Sequence, residues 1–269
     1  MSETGFVDVD GGRLWFEVAG AGPPVALLHP GLWDARTWDA QFGVFAQGYR
    51  VVRYDLRGYG RSSRPEPGVA YSHVRDLVAV LDAAGVERAA MVGNSFGGGV
   101  ALDVALVHPD RVMALVLVAS ALGGFEDTDE DEAWWDERWP PMQEAIDAGD
   151  LERARRLQME IWAPLGVDDG AGRRILEIAL DNAHELTMDE SAALGLDPPA
   201  ISRLHEILVP TLIVPADLDP PPLHRANAIL ATEIPGARVA HLASVDHVVP
   251  MRAPDAFNEV VLDFLEHAV

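Results

Sequence analysis

The feature that most restricts the fold is a set of short runs with no face left for water. PVALLHP, ERAAMVGN and RVMALVLVAS are apolar on consecutive residues rather than on alternate ones. A strand wetted on one side alternates, whereas a strand covered on both sides does not. Segments of helical period lie between the runs. In YSHVRDLVAVLDAAG, Val74, Leu77, Val78 and Leu81 fall on one helical face, and Gly85 closes the segment. FGGGVALDVALVHPD reads as another helix that ends before Pro109. With LWFEVAG and YRVVRYD as further strands, the order predicts an α/β fold: a mostly parallel sheet with helices on both faces.

The alternation stops after Ala121. Residues 122–206 carry helix signals and no convincing strand. WPPMQEAIDAGDLERARRLQMEIWAPLG predicts two helices joined near AGD, and AGRRILEIALDNAHEL predicts a third. Strand and helix resume with PTLIVPADLD, PPLHRANAILATE, ARVAHL and APDAFNEVVLDFLEHAV. Residues 1–121 and 207–269 therefore read as one core domain, interrupted by a helical insertion.

Composition removes several chemistries. The chain has no cysteine and no lysine, and its 20 basic residues are all arginine. Disulfides, thiol nucleophiles, Schiff bases and the phosphate-binding lysine of a P-loop are excluded. A net charge of −23 opposes nucleic acid and anionic membranes. Part of the acid is local, in FEDTDEDEAWWDE. No apolar stretch is long enough to span a bilayer, and the first residues lack a secretory pattern. The expectation is a soluble cytoplasmic protein.

The run MVGNSFGGGV places G-x-S-x-G, Gly93 to Gly97, between a predicted strand and a predicted helix. A serine on so sharp a turn is held up at the carboxyl end of the sheet, and glycines beside it relieve crowding. Its hydroxyl needs a base, and the base needs an acid to orient it. His247 in ASVDHVVP lies on a loop past the last predicted strand. Asp217 and Asp219 both end PTLIVPADLD; Asp219 is preferred because it lies further past the strand, where top-of-sheet loops carry chemistry. Asp246 adjoins His247, so the two side chains should diverge. The loop HPGLWD follows the VALL strand, and its N–H groups suit an oxyanion. Gly31 and Phe96 are the expected donors, with Leu32 as the alternative to Gly31; Pro30 has no N–H to give.

These pieces together, LLHPG, YDLRGYGRS, GNSFGG, PTLIVPADLD and DHVVPMRAPDAFNEVVLDFL, resemble the α/β-hydrolase superfamily along nearly the whole chain. The resemblance is greatest to small bacterial esterases and enol-lactonase-like members. It implies eight strands, a helical lid at residues 122–206, and catalysis by Ser95, Asp219 and His247 without a cofactor or metal. The implied substrate is a small, fairly apolar ester or lactone. Alternatives on the same fold are a ligand sensor with slow or single turnover, a C–C bond hydrolase and a perhydrolase. Trp33, Trp134, Trp135, Trp139, Met142 and Trp162 are candidate pocket residues, and Arg36 is a candidate partner for a substrate carboxylate.

Overall fold

The computed structural model describes residues 2–269. A hairpin opens the chain: β1 (Glu3–Val9) and β2 (Gly12–Ala19) join through Asp10-Gly11. An Asp-Gly pair suits a two-residue hairpin turn, and Gly11 adopts φ 68°. Then come β3 (Pro24–Leu28), α1 (Asp39–Phe45), β4 (Arg50–Tyr54), α2 (His73–Ala83), β5 (Ala89–Asn94), α3 (Phe96–Val107) and β6 (Val112–Val118). Helices α4 (Asp129–Asp147), α5 (Leu151–Trp162) and α6 (Gly170–Asp181) separate β6 from β7 (Thr211–Val214). The chain closes with α7 (Pro221–Glu233), β8 (Arg238–Val239), α8 (Val249–Arg252) and α9 (Pro254–Ala268).

The strands form one eight-stranded sheet in the order β1-β2-β4-β3-β5-β6-β7-β8. β2 is antiparallel to both its neighbours, and every pairing from β4 to β8 is parallel. Successive strand residues serve two separate cores. Ala26, Leu28, Met91, Leu115 and Leu117 pack with residues of α2, α3 and α7. Val25, Leu27, Val92, Val116 and Val118 pack with residues of α1 and α9. Burial on both sides accounts for the continuous apolar runs, as the fold class predicted.

Three local expectations change. β1 went unread because it is an edge strand with exposed alternate residues, so its apolar signal is weak. The acidic stretch is not merely a source of charge; it opens α4, well before the predicted start at Trp139. Thr128 caps the helix reciprocally with Asp131, and four acids in the first turn sit at the positive end of the helix dipole. The predicted strand ARVAHL shrinks to Arg238–Val239, with a single bridge from Ala216 to Leu242 beyond it.

The inserted helices have their own small cores. Met142, Ala145 and Ala154 pack together between α4 and α5. Met159, Ile175 and Ile178 of α5 and α6 pack onto Trp33 and Val248, which belong to loops at the top of the sheet.

The loop after β4 is held by buried charge. Arg57 donates to both oxygens of Asp76 at 2.7 and 2.8 Å and to the Asp10 carbonyl at 2.9 Å. The Arg57 side chain is 1% exposed, so Asp76 has no water to replace that partner. Arg57→Ala is expected to cost about 3–5 kcal/mol, because a buried carboxylate is left unpaired. Urea unfolding measures this; a loss under about 1 kcal/mol would show that the pair does not hold the loop.

Candidate active site

The parallel strands end on one edge, and four loops meet there. The sharpest is the turn from β5 into α3. Ser95 takes φ 51°, ψ −118°, a left-handed conformation that side chains rarely adopt. The surrounding glycines explain how the turn closes. A Cβ on Gly93 would collide with the Gly97 carbonyl, one on Gly97 with the Leu28 carbonyl, and one on Gly98 with the Ser120 hydroxyl. Gly99 is different, since its nearest neighbour would be Ala121 Cβ at an ordinary 3.5 Å.

Asn94, the residue before the serine, is completely buried and acts as a clamp. Its Nδ2 donates to the Val118 carbonyl at 3.1 Å and to the His247 carbonyl at 3.2 Å. The backbone of His247 is thereby fixed one residue from Ser95. No motif singled out Asn94; a fully polar amide ending an apolar strand was the available signal.

His247 is 2% exposed, and its Nδ1 lies 2.6 Å from Asp219 Oδ1. An ionised carboxylate only accepts, so Nδ1 carries the proton and Nε2 is left with its lone pair. Asp217 turns elsewhere and accepts from the Ser244 N–H at 2.9 Å. Asp246 also diverges, receiving Arg252 Nε at 2.9 and 3.1 Å. Burial holds the Asp246 carboxyl above its ordinary value, and Arg252 offsets only part of that rise. The same guanidinium donates to the Gly166 carbonyl at 2.7 Å. Arg252 therefore joins the histidine loop to the segment between α5 and α6.

The HPGLWD loop is pinned by its histidine. His29 Nε2 accepts the Leu56 N–H at 2.8 Å, so its Nδ1–H donates to the Pro30 carbonyl at 2.8 Å. Burial lowers the His29 pKa and keeps the ring neutral. A Cβ on Gly31 would sit 3.9 Å from Phe96 Cβ, so this loop and the elbow adjoin. Trp33 is fully buried, and its indole donates to the Ile175 carbonyl of α6 at 2.9 Å.

Asn182, just past α6, was missed by sequence reasoning. Its Nδ2 donates to Asp34 at 2.9 Å, and its Oδ1 accepts the Gly60 N–H at 2.8 Å. Burial disfavours the Asp34 carboxylate, yet hydrogen bonds from Arg36 and Asn182 hold its pKa down at about 2. Arg36 is committed to Asp34 and Asp181 at 2.7 and 2.8 Å, so its guanidinium is already engaged. Arg61 braces the neighbouring loop through Asp55 at 2.7 Å.

The tryptophans of α4 and α5 divide. Trp162 lies over His247 with ring centroids 4.6 Å apart. Trp135 contacts Trp162 at 6.0 Å, Trp134 at 4.8 Å and Trp139 at 6.4 Å, which makes a chain of rings leading outward. Trp139 is largely exposed at its outer end. Met142 stays in the core between α4 and α5, apart from these rings. Among the described residues, no three His, Asp or Glu side chains cluster as metal ligands, and no helix is long and apolar enough to cross a membrane.

A family model for the alpha/beta hydrolase fold matches residues 23–160, and the chain belongs to that family. Similar proteins span its length. The provisionally named carbamate hydrolase RutD of Azorhizobium caulinodans is 32% identical, covering 93% of this chain and 94% of its own. Rhodomycin D methylesterase DauP of Streptomyces sp. (strain C5) is also 32% identical, covering 92% and 93%. Among solved structures, Est816, described as an N-acyl homoserine lactone degrading enzyme, superposes with a TM-score of 0.73. It is 29% identical, over 97% of this chain and all of that one.

The elbow glycines can be separated by a one-carbon change. Gly97→Ala is expected to destabilise by about 2 kcal/mol or more, since the clash is with backbone. Gly99→Ala should instead stabilise by up to about 1 kcal/mol, the helix preference for alanine. Thermal melts of the two variants check this, and equal shifts would contradict the crowding account.

Proposed function

We propose that the protein is a cofactor-free serine hydrolase that cleaves small carboxylic esters or lactones through an acyl-enzyme. The observation that carries this reading is the buried Asp219–His247 pair, whose histidine carbonyl is clamped by the residue preceding a strained serine. Ser95 Oγ attacks the acyl carbon while His247 Nε2 takes its proton. Asp219 holds the imidazole in the required tautomer and stabilises the imidazolium that forms. The N–H groups of Gly31 and Phe96 receive the negative charge of the tetrahedral intermediate. His247 then gives its proton to the leaving oxygen. In the second half-reaction it activates water against the acyl-serine, which frees the acid and restores the serine.

Residues 122–206 act in this reading as the lid. Trp33, Asn182, Arg252 and Trp162 all connect that segment to loops of the site. Trp162 over His247 keeps water from the base until substrate arrives. The names of the relatives, a methylesterase, a lactone-degrading enzyme and a carbamate hydrolase, all denote cleavage at an acyl carbon. That common chemistry supports the acyl-transfer reading and leaves the leaving group to experiment.

The test is labelling with a fluorophosphonate alongside steady-state assays on nitrophenyl esters and lactones. Label on Ser95 with sustained turnover is expected. Ser95→Ala should lower kcat by about a thousandfold or more at unchanged Tm. Turnover retained in that variant would refute the assignment. The acid is tested by a pair: Asp219→Asn should lower kcat by about 10²–10⁴, whereas Asp217→Asn should leave it within about twofold.

A further inference from the structure

A cavity of about 310 Å³ runs along one face of α3. Phe96, Gly99 and Asp103 line it at helical spacing, with His73 and Leu194 opposite and Glu190 among its lining residues. It begins at the residue that follows the nucleophile and ends two turns down the helix, about 10 Å away at 1.5 Å per residue. The wall opposite α3 is fixed by backbone pairing, since Leu194 N–H donates to the Tyr71 carbonyl at 2.8 Å.

Gly99 explains why the space exists. The elbow requires Gly93, Gly97 and Gly98, but nothing crowds Gly99. A glycine inside a helix costs about 1 kcal/mol relative to alanine. Its effect here is to leave the helix face open where a side chain would fill the slot.

Asp103 sets the chemistry of the far end. It is half-buried, and its carboxylate has no hydrogen-bond or ion-pair partner among the described residues. The nearby cation, Arg203, is spent on Glu206 at 2.8 and 3.0 Å and on the Leu106 carbonyl at 3.1 Å. Burial pushes the Asp103 carboxyl up to about 6. Burial also lowers His73 to about 4, helped by Arg57, so this ring is neutral at neutral pH. Its Nδ1 is buried without a partner. The slot thus presents two carboxylates and a neutral imidazole, together with the Phe96 ring and apolar walls. Among the described residues that line it there is no arginine to neutralise it.

Resting on the serine-hydrolase reading, we infer that this slot is a substrate subsite that takes an apolar arm ending in a protonated amine, with Asp103 as its counter-charge. At the far end a carboxylate without a hydrogen-bond or ion-pair partner favours an ammonium over a neutral group, and the apolar walls between it and Phe96 suit the arm.

The probes are hexylamine and its neutral counterpart hexanol, with binding measured by calorimetry. The wild-type protein and Ser95→Ala should both bind the amine about tenfold more tightly than the alcohol, a modest factor for a partly solvated pair. The preference should fade as pH falls through about 6, where Asp103 takes up a proton. Asp103→Asn should erase it, and Gly99→Leu should remove binding of both probes. Hydrolysis of nitrophenyl acetate, which does not reach the slot, should continue in both of these variants. In the wild-type protein the amine should raise the KM for nitrophenyl hexanoate without changing its kcat.

Equal binding of amine and alcohol, no amine binding, or a preference that survives Asp103→Asn would overturn the subsite. So would an amine that binds without competing. Turnover of nitrophenyl acetate by Ser95→Ala would overturn the hydrolase reading instead, and the binding measurements would stand apart from it.

Discussion

The architecture of the site depends on how closely α3 approaches the sheet. Gly97 lies against the carbonyl of Leu28, and Gly93 lies under the carbonyl of Gly97, at separations that no side chain could share. This closeness turns the chain from strand to helix within one residue and leaves Ser95 in a left-handed conformation. The strain is local, but its support is distributed. Ser95 N–H donates to Val118, and its carbonyl accepts from Gly99 and Ala121. The two central strands and the first turn of α3 therefore over-determine the position of one hydroxyl.

The second requirement is that loops from distant parts of the chain arrive together. The parallel sheet provides the common edge, but the loops are also fastened to one another. Asn94 ties the elbow to the histidine loop, and Leu218 N–H donates to Val245 between the acid and histidine loops at 3.1 Å. The inserted helices complete the fastening. Asn182 bridges the HPGLWD and YDLRGYGRS loops, while Arg252 spans from Asp246 to Gly166. The segment is thus bound to the site by specific polar contacts as well as by the apolar packing of Met159, Ile175 and Ile178 onto Trp33 and Val248.

Much of this was legible in the sequence because it follows from short-range rules. Continuous apolar runs separated by helical segments specify a sheet covered on both faces, and the glycines around Ser95 mark a turn that only small residues permit. Asp219 could be preferred to Asp217 from its distance past the strand, and the structure does bring Asp219 to His247. Other features could not be read this way. β1 has the alternating pattern of an edge, and two prolines within α4 hid its extent. Asn94 and Asn182 matter through partners more than a hundred residues away, and spacing carries no trace of those contacts. The tryptophans of α4 and α5 could be grouped by sequence, but only packing separates Trp162, on the imidazole, from Trp139, which faces water.

The ion pairs that brace the site share one further property. Asp34, Asp55, Asp76 and Asp246 are each held by a guanidinium, and the chain contains no lysine that could serve in its place. An ammonium begins to lose its proton at moderately alkaline pH, whereas a guanidinium keeps its charge beyond about pH 12. The electrostatic frame around these loops therefore survives in alkali, where a lysine-built equivalent would loosen. The same substitution removes the primary amines on which aldehydes and isocyanates act, so the frame is also closed to that chemistry.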